Sequence, residues 1–76
     1  MRYIIGTPVQ VKDGNGVDSG KTGFLVSLAE VQVDGRGVPT NVEGAYKPVD
    51  WKREVAIKVD VTGEIILAFK GHIKEI

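Results

Sequence analysis

Hydrophobic and polar residues alternate along two parts of the chain, which is typical of strands that bury one face. Val9 and Val11 alternate with polar neighbours and predict a strand. In the segment 54–61, EVAIKVDV, valine or isoleucine occupies every second position. A Thr-Gly pair follows, and the segment 64–70, EIILAFK, predicts the returning strand of a hairpin. The residues of that strand expected to face the core are Ile65, Leu67 and Phe69.

Three less regular segments surround these strands. Residues 2–5 are a short apolar strand candidate, and residues 72–75, which carry Ile73, predict a last short strand. The segment 24–33, FLVSLAEVQV, is apolar on both faces, which favours a strand that bends or bulges. A helix is the alternative there, but the β-branched valines and the flanking glycines favour a strand.

Turn residues separate the predicted strands. The run Asp13-Gly14-Asn15-Gly16 predicts a turn, with a loop continuing to Gly23, and a second turn is predicted at 34–37. The prolines and glycine of the segment 38–52 exclude a long helix or a central strand, so we expect a long loop, with a short strand at 40–43 as an option. Five or six short strands and no long helix predict an all-β fold, a small barrel or a sandwich.

Composition sets the class of protein. With 76 residues, we expect a single domain covering 1–76, and 42% hydrophobic residues make it a folded one. There is no cysteine, so neither a disulfide nor a thiolate metal site can stabilise the fold, which favours a reducing compartment. The short apolar run near the N-terminus is interrupted too early for a signal peptide, and no run is long enough to span a bilayer. We expect a cytoplasmic protein without a membrane partner.

Ten basic residues balance ten acidic ones, so the formal net charge is zero. Proteins that bind nucleic acid mainly through phosphate contacts are usually basic, although a local patch can suffice. A neutral small protein also has little charge repulsion between copies, so a homo-oligomer is plausible. Nucleic acid and protein both stay open as partners.

The segment 9–26 contains the most specific pattern. It has Val9-x-Val11, then Gly14, then the tetrapeptide Gly20-Lys21-Thr22-Gly23, followed by apolar Leu25 and Val26. This spacing resembles the KOW motif, a strand-loop-strand unit of ribosomal proteins and transcription elongation factors. The resemblance implies an SH3-like barrel of five or six short strands and contacts with RNA or protein. Carried over by position, the binding residues that it implies are Lys12, Lys21 and Thr22.

The same segment also allows several catalytic or ligand-binding interpretations. Each is less well supported than the interpretation as a glycine-rich turn. Gly-Lys-Thr suggests a phosphate loop, but Asn15 stands where that motif needs glycine, and no helix pattern follows. The triplet Asp18-Ser19-Gly20 occurs in aspartic proteases, where a second copy must supply the other aspartate. Asp13, Asn15 and Asp18 suggest a calcium loop, but Val17 occupies a ligand position and the bidentate glutamate is missing. We therefore expect no cofactor and no metal.

A second candidate surface is the segment 46–53, YKPVDWKR, which interleaves aromatic and basic residues. Such residues can stack bases and hold phosphates, or anchor a protein interface. The alternative is that Trp51 closes one end of a barrel while the lysines are solvated. The candidate binding residues here are Tyr46, Lys47, Trp51, Lys52 and Arg53. His72 is the only histidine, and a strand histidine without an orienting carboxylate is its default interpretation.

These observations predict a non-catalytic binding module that contacts RNA, DNA or protein through the loops 12–23 and 44–53. The alternative is a structural or assembly protein, of phage or mobile-element type, that self-associates through edge strands such as 2–5 and 72–75. An enzyme assembled from several copies around a shared pore is a third hypothesis.

Overall fold

The computed structural model describes residues 2–12 and 18–76, and this part of the chain forms one sheet of five antiparallel strands. The strands are β1 (Pro8–Lys12), β2 (Asp18–Val26), β3 (Glu54–Val59), β4 (Ile65–Phe69) and β5 (Ile73–Glu75). Their order across the sheet is β4-β3-β2-β1-β5. The all-β prediction is confirmed. Among the described residues no ladder joins the end strands β4 and β5, so the sheet is not closed into a barrel.

One face of the sheet carries a hydrophobic cluster, the inner core, to which every strand contributes. Val9 of β1 and Ile57 of β3 are fully buried at its centre. Ala68 of β4 and Ile73 of β5 belong to the same cluster, although their strands lie at opposite ends of the sheet. The sheet is therefore strongly curled around this core. The other buried members are Leu25 and Val55.

The opposite face is covered as well. Ala56 is fully buried there, and it packs with Val31 and Val49 in a second cluster, the outer cluster. Val31 and Val49 belong to the long connection between β2 and β3, so this connection folds back over the sheet. Partly buried residues complete the outer cluster: Val26, Leu28, Val42, Ile65 and Leu67.

β2 starts earlier than predicted. The expected loop up to Gly23 is wrong, because the chain is already in β2 from Asp18. Gln10 pairs with Thr22 but Lys12 pairs with Asp18, so between these two pairs β2 advances by four residues while β1 advances by two. Gly20 has a φ of 83° in this irregularity, a conformation that glycine adopts without strain. The glycine marks a bulge inside the strand, and sequence reasoning took it for a loop.

β2 also ends earlier than predicted. The continuous strand over 24–33 is wrong beyond Val26, because Ser27 caps a 3-10 turn, Leu28–Glu30. The hydroxyl of Ser27 accepts a hydrogen bond from the amide of Ala29 at 3.1 Å. This local bond competes with strand pairing and turns the chain towards the outer face.

Two minor strand predictions are wrong. Residues 2–5 form no strand; instead the amide of Thr7 donates to Ile4 (3.1 Å), and Gly6 turns the chain with a φ of 93°. Residues 40–43 form no strand either, because the only pairing there is an isolated bridge between Val33 and Pro39 within the described chain.

The hairpin at the C-terminal end is confirmed. β3 and β4 pair in the predicted way, and Gly63, with a φ of 73°, closes the turn between them. One detail is wrong: Phe69, expected to face the core, is 47% exposed, whereas Ala68 is buried. Even-numbered and odd-numbered residues of β4 both contact apolar neighbours, because both faces of the sheet are packed. The predicted last strand is confirmed as β5, with Ile73 in the core.

The predicted turn at 13–16 lies outside the described residues, as do Asp13 and Asn15 of the calcium-loop interpretation. In the part of the chain that is described, no helix has the length and apolarity to cross a membrane.

Among the described glycines, Gly23 has the least space for a side chain. A Cβ built there would overlap the carbonyl oxygen of Lys58 and lie 2.9 Å from Cγ2 of Ile57. We expect Gly23→Ala to lower the free energy of unfolding by about 2 kcal/mol or more, as overpacking does. Gly35→Ala is the matched control: nothing lies within 4 Å of its Cβ, and we expect a change within about 0.5 kcal/mol. Urea unfolding checks both, and equal stabilities of the two variants would contradict the packing.

Candidate functional site

An open groove of about 740 Å³ runs beside β4. We call it the β4 groove. Its apolar floor combines strands and loop residues: Val11, Pro39, Val42, Ile66, Leu67 and Phe69. Val11 of β1 and Ile66 of β4 line the same groove although two strands separate them in the sheet. The groove is thus a product of the curl of the sheet.

One wall of the β4 groove is formed by the connection between β2 and β3. It is held in place first by a turn at Asp34, whose carboxylate accepts hydrogen bonds from the amides of Arg36 (2.8 Å) and Val38 (3.1 Å). The amide of Val49 then donates a hydrogen bond to the carbonyl of Gly37 (3.1 Å), which ties the end of the connection to that turn. The wall is therefore fixed by backbone bonding on the outer face.

Further bonds anchor the connection where it enters β3. The amide of Asp50 donates to the Glu54 carboxylate (2.9 Å), and the amide of Glu54 donates to the Asp50 carbonyl (2.9 Å). The Asp50 carboxylate accepts from the Lys52 amide at 3.2 Å and lies 3.7 Å from Nε of Arg53. These reciprocal bonds form a compact turn that starts β3.

The structure brings together four of the eight predicted binding residues. Lys21, Tyr46, Lys47 and Arg53 all line the β4 groove. Tyr46 is 77% exposed, and the ammonium of Lys47 lies 5.5 Å from the centre of its ring. The aromatic-basic segment therefore supplies one rim of the groove, and the KOW-like segment supplies Lys21.

The other four predicted residues lie elsewhere. Thr22 has a structural role, since its hydroxyl donates to the Asp60 carboxylate at 3.0 Å and so ties β2 to the turn after β3. Lys12 ends β1 opposite Asp18. Lys52 is exposed on the turn before β3 and lines neither groove.

Trp51 lies in a second, smaller groove of about 210 Å³, on the far side of the same turn. The N-terminal segment forms its other wall with Tyr3 and Ile5. The ammonium of Lys70 lies 5.0 Å from the centre of the Tyr3 ring, which fixes that segment against the end of β4. Trp51 is 45% exposed, so this groove buries only part of its side chain.

The charges around the β4 groove are balanced. Three basic residues, Lys21, Lys47 and Arg53, face three acidic ones, Glu43, Asp50 and Glu54. Arg53 lies beside Asp50, and the Lys21 ammonium lies 3.9 Å from the Glu64 carboxylate. Exposed pairs of this kind add little stability, but they cancel much of the positive potential that a phosphate backbone needs.

His72 is half-buried in the 3-10 turn after β4, with its ring edge-on to Phe69 at 5.6 Å. This contact packs the turn. The half-buried position agrees with the default interpretation, but His72 precedes β5 and is not a strand residue. In the described part of the chain no group of three histidine or acidic residues is placed to hold a metal ion.

Sequence reasoning missed the apolar floor of the groove. Ile66 and Leu67 read as ordinary strand residues, and Pro39 and Val42 as loop residues. Only the folding of the connection across the sheet brings them together. The available signal was the apolar excess of both faces in the segments 24–33 and 64–70, which requires a cover on each side.

Comparison of the chain with protein-family models, curated proteins and solved structures gives no match.

The Asp34 turn yields a prediction about pH. The amides of Arg36 and Val38 donate to its carboxylate and, with the Arg36 guanidinium, hold the pKa of Asp34 below its usual value near 3.8. The charged form is therefore favoured in the folded chain, so the stabilisation is present above pH 3.8 and is lost as the pH falls through the lower folded-state pKa. Carboxyl NMR titration should show this lowered pKa. A midpoint at or above 3.8 would contradict the bonding of the turn.

Proposed function

We propose that this chain is a non-catalytic binding module that holds an extended segment of a partner protein in the β4 groove. The observation that carries the proposal is the combination of an apolar floor with a rim of balanced charge. Apolar pockets flanked by a few polar anchors are typical of peptide recognition. An RNA or DNA site would instead need an excess of basic residues.

The rim residues suggest how such a segment is held. Tyr46 and Arg53 are of the types that most often dominate protein interfaces. Tyr46 is highly exposed, and the Arg53 side chain is 80% exposed, so a partner gains contact area with both. The floor then offers space for alternate side chains of an extended peptide.

The proposal extends to the fold and the location. An SH3-like barrel that stays open between β4 and β5, with a KOW-like β1–β2 unit, is supported by the inner core, to which both end strands contribute, and by the burial of Val9 and Leu25 within that unit. A cytoplasmic location is supported by the cysteine-free composition.

Selection from a random peptide library on the folded chain tests the binding site. Peptides selected on the wild type should lose about tenfold or more of their affinity for Tyr46→Ala and Arg53→Ala, because both substitutions truncate rim anchors. Lys52→Ala is the matched control, because Lys52 lies on the same turn as Arg53 but does not line the groove. The affinity of this variant for the selected peptides should match that of the wild type. Fluorescence titration gives the affinities.

Two results would contradict the proposal. One is a set of selected peptides that bind Tyr46→Ala and Arg53→Ala as tightly as the wild type. The other is a change in Trp51 fluorescence on titration with single-stranded or duplex RNA or DNA at low salt, with an affinity that falls steeply as salt is added. The second result would replace the protein partner by a nucleic acid.

A further inference from the structure

The two ends of the sheet differ in how well they are protected against pairing with another strand. β5 has three residues, of which Lys74 and Glu75 are charged and exposed. Short, charged edges of this kind discourage strand addition. β4 has five consecutive apolar residues, Ile65–Phe69, with no charge and no proline. Of the two edges, β4 is therefore the one suited to accept another strand.

The hydrogen-bonding pattern shows which backbone groups of β4 face outward. The backbone amide of Lys70 donates to the carbonyl of Arg53 (2.8 Å), and the backbone amide of Val59 donates to the carbonyl of Glu64 (2.9 Å). These two bonds fix which residue pairs of β3 and β4 are hydrogen-bonded. Antiparallel pairs alternate between bonded and non-bonded, so the pairs that contain Ile65, Leu67 and Phe69 are non-bonded. The amide and carbonyl groups of these residues point away from β3, and no described residue bonds to them.

We propose that β4 pairs antiparallel with β4 of a second copy, about a two-fold axis at Leu67, to form a continuous ten-stranded sheet. In this register Leu67 faces Leu67 of the other copy, and Ile65 faces Phe69. Each of the three facing pairs exchanges two hydrogen bonds through the outward groups, six in all. Aromatic and β-branched residues on facing strands form a favourable pair.

Charge complementarity selects the second copy as the occupant. The strand is flanked by Glu64 on one side and Lys70 on the other, each three residues from Leu67. The two-fold axis therefore places Glu64 of each copy, whose carboxylate also lies 3.9 Å from the ammonium of Lys21 in its own chain, opposite Lys70 of the other. The segment 64–70 is self-complementary in charge and in hydrophobicity, which an interface between identical subunits requires. The zero net charge of the chain adds little repulsion.

Ile66, Leu67 and Phe69 also line the β4 groove, so pairing between copies and peptide binding share part of one surface. The two proposals are nevertheless tested separately. Pairing is measured without any ligand, and Tyr46 and Arg53, which test the groove, lie outside β4.

Sedimentation equilibrium on charge-reversal variants tests the register. The wild type should be a dimer, and Glu64→Lys or Lys70→Glu should weaken it about tenfold or more, because two like-charge contacts replace two favourable ones. The double variant Glu64→Lys/Lys70→Glu restores opposite charges and should regain the wild-type affinity within about threefold. Circular dichroism confirms that each variant is folded.

A backbone test uses Phe69, whose φ of −67° already suits proline. Phe69→Pro removes an outward amide but none that β3 uses, and it should abolish the dimer. Phe69→Ala loses the same ring but keeps the amide, so it should retain more of the dimer than Phe69→Pro. A wild type that is monomeric at about millimolar concentration would overturn the proposal, as would a dimer that is insensitive to both the charge reversals and Phe69→Pro.

Discussion

Three consecutive residues of β3, Val55, Ala56 and Ile57, are buried, and the rest of the structure depends on this. Successive side chains of a strand point to opposite faces, so a strand with consecutive buried residues needs cover on both sides. The curl of the sheet covers one face through the inner core. The connection between β2 and β3 covers the other through the outer cluster.

The cover of the second face also creates the candidate site. Once the connection lies across the sheet, its residues Val42 and Tyr46 stand beside β4, and a groove is left between them. The Asp34 turn and the bonds around Asp50 hold this wall in place. The groove is therefore a consequence of how a small domain buries two apolar faces. The candidate binding residues Tyr46 and Arg53 lie on its rim.

Much of the fold could be predicted from the sequence, because period-two patterns mark strands directly. The hairpin of β3 and β4, β1 and the last strand all carry that signal. The pattern failed at β2, where Gly20 and Gly23 suggested a loop: one glycine is a bulge, and the other allows close contact with β3. Half of the predicted binding residues line the groove, but its apolar floor depends on tertiary folding, which local patterns do not encode.

The connection between β2 and β3 packs on the outer face of the sheet, where Ala56 contacts Val31 and Val49 in the outer cluster. Methyl NOE spectroscopy in solution can detect this contact. We predict strong cross-peaks from the Ala56 methyl group to the methyl groups of both valines. An Ala56 methyl group without cross-peaks to either valine, in a chain whose strands are otherwise formed, would show that the connection does not cover this face.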